Sequence, residues 1–438
     1  MKFEAILSSR CYRSILAGAV IAFLLPALAV AQRSNDGSVY TRFGLGDRQT
    51  WNSARGQAMG GGGYALPSTL YINMANPASL SDQILTRFAG GLTYQTLTTS
   101  SDGFESGRLA SGSLSGVHAA FPIKINKTGI GLSLAPYTRI SYRIQDLNTI
   151  AGEMEDTGVI REYSGNGGLY ALTGGIGHRL SDNLSLGVSA QMIFGLLEEA
   201  QSSRFNNSLY TDRTVEKSTR LRGATASLGA RYVVPGLPRG KGLVFGATLT
   251  LPTTLSGERI AALTTSVGTD TLGTTTKGDA SIPVTIGAGV AFQPSEKWSL
   301  VADLLYEGWS SFSSDFDFPG YDHTANADLN NRVRISAGVE FWPAGNRPFA
   351  SYGAKIAYRA GLYSDRSYTS PDPDQIIRAL GVTGGLSLPS LLPGTTIDLN
   401  VDVGRRGSTS NGLVHDRYIR FGLNINFGER WFDRLPLG

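Results

Sequence analysis

Apolar and polar residues alternate with a period of two along most of the chain beyond residue 85. The even positions Leu186, Val188, Ala190, Met192 and Phe194 are apolar, and Ser185, Gly187, Ser189 and Gln191 between them are small or polar. Val333, Ile335, Ala337, Val339 and Phe341 alternate in the same way with Arg332, Arg334, Ser336 and Glu340. Ile397, Leu399, Val401 and Val403 alternate with Asp398, Asn400 and Asp402, and Ile419, Phe421, Leu423, Ile425 and Phe427 with Arg420, Asn424 and Asn426. Successive side chains of a strand point to opposite faces, so each run predicts a strand with one apolar and one polar face. The alternation alone leaves open whether the apolar face packs into a soluble core or meets lipid.

Three further features select a transmembrane barrel. The runs are about ten residues or longer, which suits a tilted crossing of a bilayer better than a sandwich strand of about six. Brief turns near residues 126–128, 181–183, 293–297 and 342–348 alternate with long polar loops around 146–162, 201–212, 259–279 and 311–330. Aromatics collect at both strand ends, with Tyr232, Phe292 and Trp298 beside short turns and Tyr142, Tyr306 and Trp309 beside long loops, as in the two girdles of an outer-membrane barrel. Counting hairpins predicts an all-β, antiparallel barrel of about 14 strands over residues 86–438, an even number that returns both chain ends to one side.

The polar phase carries Arg139, Arg143, Arg332, Arg334, Asp398, Asp402 and Arg420. A charge on the lipid face at mid-membrane costs about 2–4 kcal/mol, so these residues are expected in the lumen. Salt-bridge ladders that fill the barrel are their simplest role; an arginine holding a ligand carboxylate is the functional alternative.

Ahead of the strands, residues 32–85 predict a plug. Two short helical pieces, one over residues 53–59 and one beginning at Asn76, Pro77 and Ala78, flank Gly60, Gly61, Gly62 and Gly63. Glycines allow positive φ and close approach to other segments, which suits chain threaded through a confined lumen. Asn76 caps the second piece and Pro77 takes its first helical position. Residues 1–31 read as a Sec-type signal peptide: Lys2, Arg10 and Arg13 precede an apolar run that ends in Ala29-Val30-Ala31, with cleavage expected after Ala31. The chain's one cysteine, Cys11, lies in this leader, so the mature chain offers no thiolate.

Four histidines stand apart from one another and no His/Asp/Glu cluster has ligand spacing, so neither catalysis, nor a metal, nor a cofactor is expected. The net charge of +4, part of it from the leader, gives no reason to expect nucleic acid.

A leader, then Arg55-Gly-Gln-Ala-Met-Gly-Gly-Gly-Gly, then Asn76-Pro77-Ala78, then a barrel of this size resembles the FadL-type outer-membrane transporters of long-chain fatty acids and other hydrophobic compounds. Tyr40-Thr41-Arg42-Phe43-Gly44-Leu45-Gly46-Asp47 and the terminal Tyr418-Ile419-Arg420-Phe421 with Arg430-Trp431-Phe432 are similar to a branch from Bacteroidetes-type bacteria. The resemblance implies a hatch containing Asn76, Pro77 and Ala78, a ligand site in the outer half of the barrel, and exit through a side gap at a kinked strand. Pro136, without an N–H to donate, is the candidate for that lateral opening, and a tolerated bend is its plain alternative. The implied function is passive uptake of hydrophobic small molecules by a monomer in the bacterial outer membrane. Its partners would be membrane lipid, the ligand, and the barrel assembly machinery during biogenesis. The alternative is a non-transporting barrel that binds secretion or surface proteins. A continuous apolar pocket between loops and hatch would favour transport, and a filled lumen the scaffold.

Overall fold

The computed structural model describes residues 37–430, apart from 51, 68, 102–103, 151–156, 208, 239–240, 322–328, 346, 348, 372–373, 391, 393 and 410–411. The leader and the terminal aromatics Trp431 and Phe432 lie outside the described residues. The alternating runs form a closed antiparallel barrel of 14 strands. In chain order the wall begins with β1 (Thr86–Ser101) and β2 (Phe104–Lys124). Next comes β3, which is broken into Thr128–Pro136 and Thr138–Ile150. There follow β4 (Thr157–Arg179), β5 (Leu184–Phe205), β6 (Arg213–Val233) and a broken β7 (Gly242–Thr250 and Thr253–Thr265). The eighth strand, β8, is assembled from Gly268–Thr271, Thr276–Ile282 and Thr285–Ser295. The wall finishes with β9 (Trp298–Glu307), β10 (Arg332–Phe341), β11 (Ala357–Arg366), β12 (Arg378–Pro389), β13 (Thr396–Arg406) and β14 (Val414–Glu429). β14 pairs with β1 from Val414↔Ser101 to Glu429↔Thr86 and closes the cylinder.

The apolar phase of the strands forms the outer belt. Leu132, Met192, Leu228, Phe245, Leu304, Ile335, Val382 and Phe421 all stand exposed on the wall, where lipid satisfies them. Residues 37–85 run inside the barrel ahead of β1, so the core of this protein is its lumen.

The wall is not continuous. β2 pairs with the first half of β3 only between Val117↔Leu134 and Lys124↔Thr128. Above that point the second half of β3 keeps its ladder with β4 but makes none with β2. The break also turns the strand over. Pro136 faces Tyr170 and Ile140 faces Gly167, so β3 spends one residue more than β4 between the two pairs, and Tyr137 bulges. Ile130, Leu132 and Leu134 below the bulge point outward, whereas Ile140 and Tyr142 above it are buried in the lumen core. This corrects the expectation for Arg143. Its side chain is half exposed and points away from the lumen core, 3.9 Å from Glu162.

Candidate functional site

The inner half of the lumen is filled by the hatch. Ser53 caps the short helix Ala54–Ala58 by accepting the Gly56 N–H at 3.0 Å, and Asn76 caps the 3-10 turn Pro77–Asp82 by accepting that of Ala78 at 3.0 Å. Gly60 to Gly63 run between these pieces and against the wall. A β-carbon on Gly62 would lie 2.0 Å from Asp303 Oδ2 and one on Gly61 2.7 Å from the Arg334 guanidinium. Gly60, Gly61 and Gly63 hold positive φ. The wall answers with glycines of its own: β-carbons on Gly187, Gly229, Gly246 and Gly361 would meet Pro77, Asn76, Tyr64 and Gly60 at 2.1–2.3 Å.

Asn76 is fully buried, and its amide donates to the carbonyls of Tyr64 at 2.8 Å and Ala230 at 3.1 Å, tying hatch to hatch and hatch to wall. Pro77 and Ala78 are buried beside it. The bonds of Asn76 are made by backbone acceptors, which no residue pattern in β6 announces.

The lumen-phase charges act mainly as struts. Arg55 of the hatch meets Glu340 at 2.5 Å, Glu340 meets Arg359 at 2.7 Å, and Arg359 meets Asp398 at 2.9 Å. Tyr71 donates to Asp398 at 3.1 Å and accepts from Arg359 at 2.7 Å. Higher up, Arg332 meets Asp365 at 2.8 Å, and Arg334 joins the same carboxylate at 3.0 Å while donating to the Gly60 carbonyl at 2.8 Å. Asp402 meets Arg420 at 3.0 Å. Arg139 sits at the break in the wall, 3.5 Å from the Gly112 carbonyl across it. Such pairs, desolvated on both sides, hold only when every charge has partners.

The outer half of the lumen is filled as well, and two of the aromatics expected in the outer girdle, Tyr142 and Trp309, are buried there. Leu45, Ile140, Tyr142, Leu169, Leu221, Leu255, Trp309, Phe312, Phe316, Phe318, Tyr321 and Tyr368 form one buried cluster. The loop over residues 311–330, expected to be polar, sends Phe312, Phe316, Phe318 and Tyr321 inward and thereby corrects that reading. A loop folded over a barrel mouth buries its apolar residues beneath it; Ser311, Ser313, Asp315 and Asp317 stay in water, and Ser314 is buried with the rings.

Trp309 stacks on Tyr368 at 4.0 Å and donates to Glu307 at 2.8 Å. Glu307 also takes Arg48 of the hatch at 2.9 Å, so one carboxylate ties the inner plug to the outer core. Tyr40, whose phenol burial raises to about 12, keeps its proton and donates it to the Val414 carbonyl.

Between the two fillings remains a cavity of about 790 Å³, lined by Asp47, Arg48, Gln49, Arg139, Arg334, Asp402, Arg406 and Arg420. On one side it reaches Leu114, Leu134, Pro136 and Tyr170, the residues around the break between β2 and β3. Charged residues and apolar ones, among them Phe194, Leu196 and Val401, share its lining.

Among solved structures, the Pseudomonas putida toluene transporter TodX aligns at 16% identity with a TM-score of 0.57, covering 89% of this chain and 100% of that one. The CymD monoaromatic hydrocarbon channel aligns at 14% and 0.55, covering 88% and 99%. A Pseudomonas aeruginosa FadL homologue aligns at 13% and 0.55, covering 87% and 99%. At these identities the likeness is one of fold, and the fold is the FadL-type outer-membrane barrel. No curated protein matches the chain. The family model that does match is BamG, over residues 13–436, from ahead of the hatch to beyond the last strand; the chain belongs to the BamG family.

Proposed function

We propose that this chain is a plugged outer-membrane barrel that acts in barrel assembly as a scaffold, contributing through its surfaces. The observation that carries this reading is the occupied lumen. The hatch fills the inner half against seats of wall glycine, an aromatic core fills the outer half, and the space between mixes apolar side chains with many buried charges. A solute-binding pocket is expected to be concave and mostly apolar, with few polar groups. Membership of the BamG family supports the link to barrel assembly. The test is purification of the tagged protein from native outer membrane. The expected result is that the barrel assembly machinery comes with it and that its depletion lowers the amount of other barrels. A barrel recovered alone, with other barrels at normal levels, overturns the reading.

A second reading, passive passage of hydrophobic small molecules, is favoured by one specific observation: Leu114, Leu134, Pro136 and Tyr170 line the cavity where the ladder between β2 and β3 ends. The fold neighbours include a toluene transporter and a monoaromatic hydrocarbon channel, which fit this route. Labelled long-chain fatty acid and a small aromatic hydrocarbon, offered to cells lacking their own transporter, decide it. Uptake above the empty-vector level supports transport; none, with the barrel folded in the membrane, rejects it.

A further inference from the structure

The second half of β3, Thr138–Ile150, has one edge in the wall and one edge outside it. Toward β4 it pairs from Ile140↔Gly167 to Ile150↔Thr157. Toward β2 the first positions are taken by the chain's own hatch: Asp47 pairs with Arg139 and Arg48 with Thr138. Two residues further on, the Ser141 N–H donates to Thr41 Oγ1 at 3.0 Å and the Ser141 carbonyl accepts from the same hydroxyl at 2.8 Å. A single hydroxyl there does the work of a neighbouring strand.

The N–H and C=O of one strand residue point to the same edge, and the edge repeats every second residue. The groups of Arg143, Gln145, Leu147 and Thr149 therefore follow those of Ser141 along the same line, and among the described residues no strand lies against them. Across the break, β2 between Phe104 and Leu114 pairs with β1 alone. Two long edges thus flank one opening.

We infer that this edge is a docking site for an extended segment of a partner polypeptide, which joins the wall as an added strand. A lipid chain does not fit, because Arg143, Gln145 and Asp146 are exposed and Arg143 lies beside Glu162, so this stretch stands in water above the hydrocarbon. An acyl chain also offers no donors or acceptors to a strand edge. A long exposed edge is a template for another strand, and natural barrels abolish it by closing. Among the described residues the hatch covers this edge at Thr138, Arg139 and Ser141 and at no later position. The occupant that continues the hatch's own pairing is more extended backbone. The inference rests on the scaffold reading for the source of the partner, and on the edge itself for its chemistry.

The test places a photo-crosslinking residue at Arg143 and, separately, at Gln145 in the full-length protein in native outer membrane, with the linked peptides sequenced by mass spectrometry. The expected result is that both positions link to one segment of one polypeptide, at sites two residues apart and in an order set by strand pairing. Gln145→Pro removes an N–H from the free edge and none from the β4 ladder. It should cut the yield from Arg143 at least about tenfold while the barrel still shows folded mobility on electrophoresis. Links to lipid alone, links scattered over unrelated segments, or a yield unchanged by Gln145→Pro each overturn the proposal. Ordered links to a polypeptide outside the assembly machinery would leave the docking edge standing and remove the scaffold reading. Copurification of the machinery without ordered links would do the reverse.

Discussion

Gly62 shows how finely the plug is fitted. Asp303 is buried, and its carboxylate accepts the Tyr64 N–H at 3.0 Å, so the side chain that a β-carbon on Gly62 would strike cannot swing away without leaving that donor unpaired. Gly62→Ala should therefore cost about 1–3 kcal/mol, the usual range for overpacking, read as a lower urea or heat midpoint for loss of folded electrophoretic mobility. A midpoint equal to that of the parent protein would show that the hatch is looser than its contacts imply. Glu307 is the other telling residue. It holds Arg48 at 2.9 Å and the Trp309 indole at 2.8 Å, with Arg332 3.5 Å away. Arg332 keeps Asp365 if Glu307 is lost, but Arg48 keeps only the Tyr137 carbonyl and ring. Glu307→Gln leaves a buried cation without its carboxylate, a change that destabilises by about 3–5 kcal/mol, and faster proteolysis within residues 37–50 would register it. Digestion at the parent rate would mean that the Arg48 tie is dispensable.

At the scale of elements the lumen is closed twice, by the hatch and by the aromatic core beneath the loop after β9. Deleting residues 53–80 should raise ion conductance in planar bilayers only modestly, because the outer core remains; deleting residues 309–321 as well should open a pore of much larger conductance. A full-sized pore from the first deletion alone would show that the outer core does not seal. The sequence made some of this legible and hid the rest for definite reasons. The strands could be read because lipid and lumen impose opposite chemistry on alternate residues of β5, β10, β13 and β14. The two short helical pieces ahead of the wall could be read because Ser53, Asn76 and Pro77 are local helix-start signals around a glycine run. The inversion in β3 could not be read. Ile130, Leu132, Leu134, Ile140, Tyr142 and Ile144 share one parity in the sequence, and the bulge at Tyr137 that turns the later ones inward leaves no mark on that pattern. The outer core was hidden for another reason: Phe312, Phe316 and Phe318 share one parity and alternate with exposed serine and aspartate, but the run is short and lies in a stretch read as a polar loop, and it takes its meaning from the mouth it covers.

For the molecule as a whole, the question is whether the opening in the wall passes a solute or holds a partner, and Pro136 separates the two. The β2 ladder stops at Leu134, and Pro136, still paired across to Tyr170, has no N–H with which to carry any ladder further. Pro136→Val supplies the donor, suits a strand, and allows the pairing with β2 to extend toward the bulge. It leaves untouched the edge at Arg143 and Gln145, which lies beyond Tyr137. If the opening serves passage, narrowing it at its base should slow uptake of a hydrophobic solute while the barrel stays folded. If the barrel is a scaffold, its work lies at the outer edge, and the same substitution should leave the levels of other outer-membrane barrels unchanged, whereas Gln145→Pro should lower them. The expected outcome, from a lumen filled at both ends with many buried charges between, is the second: normal barrel levels with Pro136→Val and reduced levels with Gln145→Pro, measured on the same membranes. Reduced solute uptake with Pro136→Val, and no effect of Gln145→Pro on barrel levels, would favour passage of a solute over the scaffold.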